Sequence, residues 1–324
     1  MADATGDATA GTRVAAADPA GIIDSVSDDV SGGSVARLLP DVDALRLALD
    51  GVDYLADDGT VMALFCAARL GQPVLLEGEP GVGKTEAAKA LAAALDTPLV
   101  RLQCYEGIDL AEALYEWNYP RQLLAIRLAE ARGTDLAEDS LFGDEFLIAR
   151  PLLAALRHDG ERPAVLLIDE VDRADDDFEA FLLELLGEGA VTIPELGTVR
   201  AAQRPVVVLT SNRTRELHDA LKRRCLFHDI AYPSPERAAE IVRRRVPGSS
   251  RTLAEQAART VEQLRALGLQ KPPGIAETID WVAALELLGV QAVDGPAVDR
   301  TLGSLVKYAD DQRLVRSSGV VGPP

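Results

Sequence analysis

The chain has 324 residues, 48% of them hydrophobic, which is enough for two domains and a large core. Its 52 acidic residues outnumber 33 basic ones, and the net charge of −19 disfavours a nucleic-acid backbone over most of the surface and favours protein partners. No apolar run is long enough to span a membrane, and Cys66, Cys104 and Cys225 lack the spacing of a zinc site or a disulfide framework.

Residues 1–38 are mostly small and polar and read as a disordered acidic tail. The first twenty are acidic and alanine-rich rather than basic and apolar, so a secretory signal is not expected and a cytoplasmic protein is. Helical spacing of apolar residues predicts helices over 41–50 and 57–70. An apolar strand, Val74 to Leu76, follows. It runs into Gly78-Glu79-Pro80-Gly81-Val82-Gly83-Lys84-Thr85, the G-x-x-x-x-G-K-[ST] pattern of a phosphate loop. An alanine-rich helix over 84–95 then places its positive dipole end under the loop.

Further on, strands are expected at 99–103, 164–168, 206–209 and 226–231, and helices at 119–131, 151–158, 176–186 and 217–223. Continuous apolar strands alternating with amphipathic helices specify an α/β fold with a parallel five-stranded sheet covered on both faces. Between 190 and 201 the pattern breaks into two β-prone runs around Pro194-Glu195-Leu196-Gly197, which predicts a hairpin insertion. After Pro233 and Pro235 the strands stop. Helices at 236–245, 251–267, 275–288 and 296–309 form an all-α region, with a frayed tail beyond it.

Three strand ends carry the chemistry. Lys84 is expected to reach the β- and γ-phosphates of a nucleotide, and Thr85 to offer its hydroxyl to Mg²⁺. Asp169, ending an apolar strand, would bind the same ion, and Glu170 would orient and deprotonate a water for attack on the γ-phosphorus. Asn212 would hold that water from the side opposite Glu170; the other reading is a helix N-cap for the next segment, and both hold together if Ser211 or Thr214 caps while Asn212 faces the nucleotide. Arg223 and Arg224 end that helix. The dipole favours arginines there, and the catalytic reading is an arginine finger, with Arg224 preferred. Trp117 and Tyr119 read as packing residues more readily than as client-facing aromatics.

In this order, the phosphate loop, the Asp169-Glu170 strand, the Asn212 strand, the Arg223-Arg224-Cys225 turn and the helical region resemble an AAA+ ATPase, and the MoxR branch in particular. The 190–201 hairpin is similar to the pre-sensor hairpin of that clade. The stretches Leu102 to Asp109 and Leu114 to Leu124 resemble a MoxR subgroup associated with carbon monoxide dehydrogenase maturation.

The resemblance spans about residues 41–310. It implies an ATPase core over 39–232, an α-helical lid over 233–315 and a tail over 316–324. It also implies ATP and Mg²⁺, with Gly78 to Thr85 and Asp169 binding them, and a homo-oligomeric ring, usually a hexamer. The implied role is a remodelling or maturation chaperone with a von Willebrand factor type A partner and a client enzyme. One departure stands out: Gln270 to Glu277 lacks the arginine that many family members place at the start of a lid helix, so either Lys271 substitutes for it or that contact is absent. The competing readings are a nucleotide-dependent switch with little turnover and a nucleic-acid motor. The Asp169, Glu170 and Asn212 set speaks against the first, and the net charge against the second.

Overall fold

The computed structural model describes residues 35–135 and 137–320. Helices α1 (Val42–Gly51) and α2 (Asp58–Leu70) lead into β1 (Val74–Glu77), the glycine-rich loop and α3 (Lys84–Ala94). Next come β2 (Leu99–Gln103), α4 (Leu110–Ala113), β3 (Tyr115–Trp117), α5 (Tyr119–Arg132), β4 (Leu147–Ala149) and α6 (Pro151–Leu156). The core closes with β5 (Val165–Asp169), α7 (Asp176–Glu188), β6 (Ala190–Ile193), β7 (Gly197–Arg200), β8 (Val206–Ser211), α8 (Asp219–Lys222) and β9 (Leu226–Asp229). Helix starts are chosen locally. Asp41, Asp57, Asp109, Asn118 and Asp175 each accept a hydrogen bond from the backbone N–H three residues on.

Five strands form one parallel sheet in the order β2-β5-β8-β1-β9. Successive side chains of a strand point to opposite faces, and here both faces are apolar. Leu75, Leu102, Leu166, Ile168, Val207 and Leu209 pack with Leu152 and Leu153 of α6 and Phe178, Leu182 and Leu185 of α7. Val74, Leu76, Val165, Leu167, Val206 and Val208 pack with Leu45 and Leu49 of α1, Val61 and Leu64 of α2, and Ala87 and Leu91 of α3. The inner strands β1, β5 and β8 are buried along their whole length because each has a helix layer on either side, whereas the edge strands β2 and β9 carry polar, partly exposed residues.

Two antiparallel pairs lie outside this sheet. The β6–β7 hairpin pairs Ala190 with Arg200 and Ile193 with Gly197, as its turn residues predict. The β3–β4 pair, Tyr115 to Ala149 and Trp117 to Leu147, brackets α5 and was not expected. Trp117 packs edge-on against Phe142 with ring centroids 5.3 Å apart, so its packing reading holds. Tyr119 does not pack: it is 64% exposed, on a helix that also exposes Leu123, Leu124 and Leu128.

The second half is helical. α9 (Pro235–Arg245), α10 (Arg251–Arg265), α11 (Ile275–Leu287), α12 (Gly295–Leu305) and α13 (Ala309–Ser318) share a core of their own around Trp281, Val261, Leu264, Leu285 and Leu302. Two expectations are corrected at the ends. The tail was drawn to residue 38, but Val35 and Leu39 are buried against the α1–α3 face, and Arg69 Nη1 donates to the Leu39 carbonyl at 2.8 Å. Residues 1–34, the rest of that tail, lie outside the described residues, as do 321–324. The last helix was drawn from 296 to 309. Instead α12 stops at Leu305, where Val306 turns extended, and α13 runs on to Ser318 with Val315 buried. Asp311 of α13 is buried and accepts from the backbone of Gln270 and Lys271, which fixes the approach to α11. Among the described residues no helix is long and apolar enough to cross a membrane.

Trp281 is fully buried, and its Nε1–H donates to Thr301 Oγ1 at 2.7 Å, which in turn donates to the Ala297 carbonyl. Thr301→Val keeps the shape and strands the indole N–H, so it should destabilise the helical half by about 1–3 kcal/mol. Urea denaturation followed by tryptophan fluorescence measures this, and a Trp117→Phe background isolates the Trp281 signal.

Candidate active site

The loop after β1 wraps tightly. Gly78 has φ +152° and Gly81 φ +81°, and a Cβ at Gly78 would lie 2.4 Å from the Ile230 carbonyl oxygen. Only glycine fits both demands. Lys84 opens α3 and turns back, with Nζ donating to the Gly78 carbonyl at 2.7 Å and the Glu79 carbonyl at 2.9 Å. Burial pushes its ammonium below the ordinary lysine value, against the opposing pull of Asp172, Glu79, Asp169 and Glu170.

Parallel pairing sets the other strand ends beside this loop. Ile168 is level with Leu209, and Gln103 with Asp169. Asp169 accepts from Thr85 Oγ1 at 3.1 Å and from Thr210 Oγ1 at 2.6 Å, so the loop and two strands meet at one buried carboxylate. Glu170 follows in a left-handed conformation, φ +55°, with its backbone N–H donating to Thr210 Oγ1. Its carboxylate accepts from Asn212 Nδ2 at 3.1 Å and Gln103 Nε2 at 3.1 Å, and Arg173 Nε lies 2.8 Å away. Asn212 was expected across a water from Glu170. Because β5 and β8 are neighbours, it binds the Glu170 carboxylate directly.

The Asn212 turn is held by Asp172, a buried carboxylate that accepts from the Thr214 backbone at 2.8 Å, Thr214 Oγ1 at 2.6 Å and the Asn212 backbone at 3.2 Å. Thr214 is therefore a ligand of Asp172 rather than a helix cap. Ser211 accepts from Arg213 N, and α8 starts after His218, which makes no side-chain cap. Four further residues escaped the sequence reading. Arg101 binds Asp169, Gln103 and Arg173 bind Glu170, and Asp172 anchors the Asn212 turn. Asp172 and Arg173 leave a legible trace in the charged stretch Asp169-Glu170-Val171-Asp172-Arg173, whereas Arg101 and Gln103 leave none.

The cleft over these groups has a volume of about 840 Å³ and is shared by both halves of the chain. Pro80 to Thr85, Asp169, Glu170 and Asn212 line its polar floor. Tyr54, Leu55, Ile230, Ile241, Ile275 and Ile279 supply an apolar wall. Burial raises the Tyr54 phenol above its usual range, so it stays neutral there. Gly78 and Glu79 meet Lys84 through their carbonyls instead of lining the cleft. The helical half touches the loop itself. Ile275 N donates to the Gly81 carbonyl at 2.9 Å, and a Cβ at Gly274 would lie 2.8 Å from Gly81 Cα. Lys271 is exposed and does not line the cleft. Arg237 and Arg245 of α9 are the basic residues that the helical half presents there.

Arg223 and Arg224 are exposed and outside the cleft. Sheet order is not what separates them from the loop, since β9 pairs directly with β1. Arg224 precedes the amino end of β9, where Leu226 is level with Val74, whereas the loop leaves the carboxyl end of β1. The side chain of Arg224 passes over Gly187 of α7.

A glycine-rich loop, a buried lysine at a helix start and paired strand-end carboxylates form a polyphosphate cradle. Thr85 and Asp169 are hard oxygen donors within hydrogen-bond distance of each other, a donor set suited to Mg²⁺. Over residues 73–225 the sequence matches the family described as AAA domain (dynein-related subfamily).

Residues 73–225 are an AAA domain, and the protein is an ATPase.

This ATPase is 25% identical over 279 residues to an uncharacterized protein of Staphylococcus haemolyticus (strain JCSC1435), covering 82% of this chain and 96% of that one. It is 26% identical over 204 residues to Protein NorQ of Paracoccus denitrificans (strain Pd 1222), covering 61% and 66%. Among solved structures it is similar to the RuvB Holliday junction branch migration motor of Thermotoga maritima, with a TM-score of 0.44, 20% identity, and 78% and 68% of the two chains covered.

Asp172 generates a test of this site. Asp172→Ala leaves two backbone N–H groups without their acceptor and frees the turn that carries Asn212. Turnover should fall about 10²-fold, as for an angstrom-scale misplacement, while ATP affinity stays close to wild type because the loop is untouched. Steady-state hydrolysis and equilibrium nucleotide binding check the two halves of that expectation.

Proposed function

We propose that this AAA+ ATPase is of MoxR type and works in the cytoplasm as a homo-oligomeric ring, a hexamer. In that ring it is a chaperone-like remodelling or maturation machine, acting with a von Willebrand factor type A partner on a client enzyme into which a metal or cofactor is inserted. The observation that carries the catalytic part is the unbroken chain of contacts Thr85–Asp169–Thr210–Glu170–Asn212 on the floor of a cleft shared with the helical half. The similarity to Protein NorQ supports the MoxR placement.

Lys84 and the backbone N–H groups of Gly81 to Thr85 bind the phosphates of ATP. Thr85 and Asp169 hold Mg²⁺, which supplies charge neutralisation on those phosphates when bound. Glu170 orients the attacking water and takes its proton, and Asn212 fixes the Glu170 carboxylate. Residues 39–232 and 233–315 act as core and lid, hinged at Pro233 and Pro235. Arg224 serves the active site of the adjacent subunit, since its own lies at the other end of the strands.

The catalytic roles separate cleanly. Lys84→Ala should abolish ATP binding. Glu170→Gln should keep ATP bound and stop turnover; wild-type turnover in that variant removes Glu170 as the base, and negligible turnover in wild-type protein favours the switch reading.

Arg224→Ala should bind ATP normally and hydrolyse it about 10³-fold more slowly, as for loss of an arginine finger. Mixing it with the Lys84→Ala protein should restore part of the activity. A strictly monomeric, concentration-independent activity unaffected by Arg224→Ala would exclude the ring. Co-purification with the product of a neighbouring von Willebrand type A gene tests the partner.

A further inference from the structure

Asp169 is claimed from two sides. Its Oδ1 accepts from Thr210 at 2.6 Å and Thr85 at 3.1 Å, and its Oδ2 accepts from Arg101 twice, Nη2 at 2.6 Å and Nε at 3.0 Å. Thr85 Oγ1 also lies 3.3 Å from Oδ2. An ionised carboxylate offers about four lone-pair sites, and the two hydroxyls and the guanidinium occupy them. The Asp169 side chain is 3% exposed and that of Arg101 is 47% exposed, so the carboxylate lies on the floor and the guanidinium is free to swing outward. Arg101 Nη2 also donates to Gln103 Oε1, and Gln103 Nε2 donates to Glu170 Oε2 at 3.1 Å. Arg101 therefore touches one carboxylate of the pair directly and the other through Gln103.

We propose that Arg101 is a positioning residue that opposes divalent-metal loading on Asp169 and relays the state of that carboxylate to Glu170 through Gln103. The proposal rests on reading Thr85 and Asp169 as the metal end of the nucleotide site. A guanidinium bonded to a carboxylate lies within a few ångströms of any cation that carboxylate helps to hold, and like-charge repulsion at that range is strong even near a protein surface. Partial exposure of Arg101 screens the repulsion without removing it. The arginine either stays and weakens the hold on the metal, or swings away and gives up two charge-assisted hydrogen bonds. Both routes lower metal affinity. The second also withdraws the bond that orients the Gln103 amide, so Glu170 loses one of its three neighbours when the metal end fills.

The test uses the full-length protein, ADP and Mn²⁺, with free Mn²⁺ read by electron paramagnetic resonance so that no turnover is involved. Arg101→Gln and Arg101→Met remove the charge, and Arg101→Lys keeps it. Both neutral variants should bind Mn²⁺ in the presence of ADP about tenfold more tightly than wild type, and the lysine variant should stay close to wild type. ADP affinity in EDTA should be the same in all four proteins. Neutral variants that bind Mn²⁺ no more tightly than wild type, with ADP affinity in EDTA intact, overturn the proposal. So does a lysine variant as tight as the neutral ones. If one neutral variant misfolds and loses ADP binding in EDTA, the other decides. Wild-type protein that binds no ADP in EDTA overturns the reading of the cleft itself and this proposal with it.

Discussion

Parallel pairing of β5 between β2 and β8, with all three strands ending nearly level, is the constraint on which the cleft depends. It places Gln103, Asp169, Thr210 and Asn212 side by side without any long-range side-chain contact having to find them. The pairing is secured by the two apolar faces, because a slip of one residue would exchange Leu166 and Ile168 with Val165 and Leu167 between layers of different shape. The catalytic geometry is thus bought with core packing, and the polar groups at the strand ends need only short hydrogen bonds to reach their positions.

Those polar groups are unusually well matched in charge. Two adjacent carboxylates, Asp169 and Glu170, each have a guanidinium beside them, from Arg101 and Arg173. A third carboxylate, Asp172, is satisfied by backbone and hydroxyl donors. In a chain of net charge −19 this local balance lets three acidic side chains share a few ångströms beside a lysine that burial already disfavours as a cation. The floor of the cleft is built to be close to neutral before a highly charged substrate arrives.

Most of the fold was legible in the chain, and the reasons are local. The glycine pattern announces the loop, continuous apolar runs announce buried strands, and Pro194 with Gly197 announces the β6–β7 hairpin. The β3 and β4 strands were not legible, because three residues are too few to display a period of two. The break between α12 and α13 escaped because apolar spacing continues across it. In the site, Lys84, Thr85, Asp169 and Glu170 could be read from motif spacing. Arg101 and Gln103 could not, since their roles depend on β2 lying next to β5, and strand order is a property of the folded sheet.

The bond from Ile275 N to the Gly81 carbonyl has a mechanical meaning. A trans peptide is a rigid plate, with its carbonyl and the following amide pointing in opposite directions. By holding the Gly81 carbonyl, the first turn of α11 also sets the heading of the Val82 amide, on the far side of the same plate. The glycines at 81 and 274 bring the two backbones close enough for this to happen with no side chain between them. Rotation of the helical half would therefore act on the loop as a key acts on a lock tumbler, turning one amide by turning the plate that carries it.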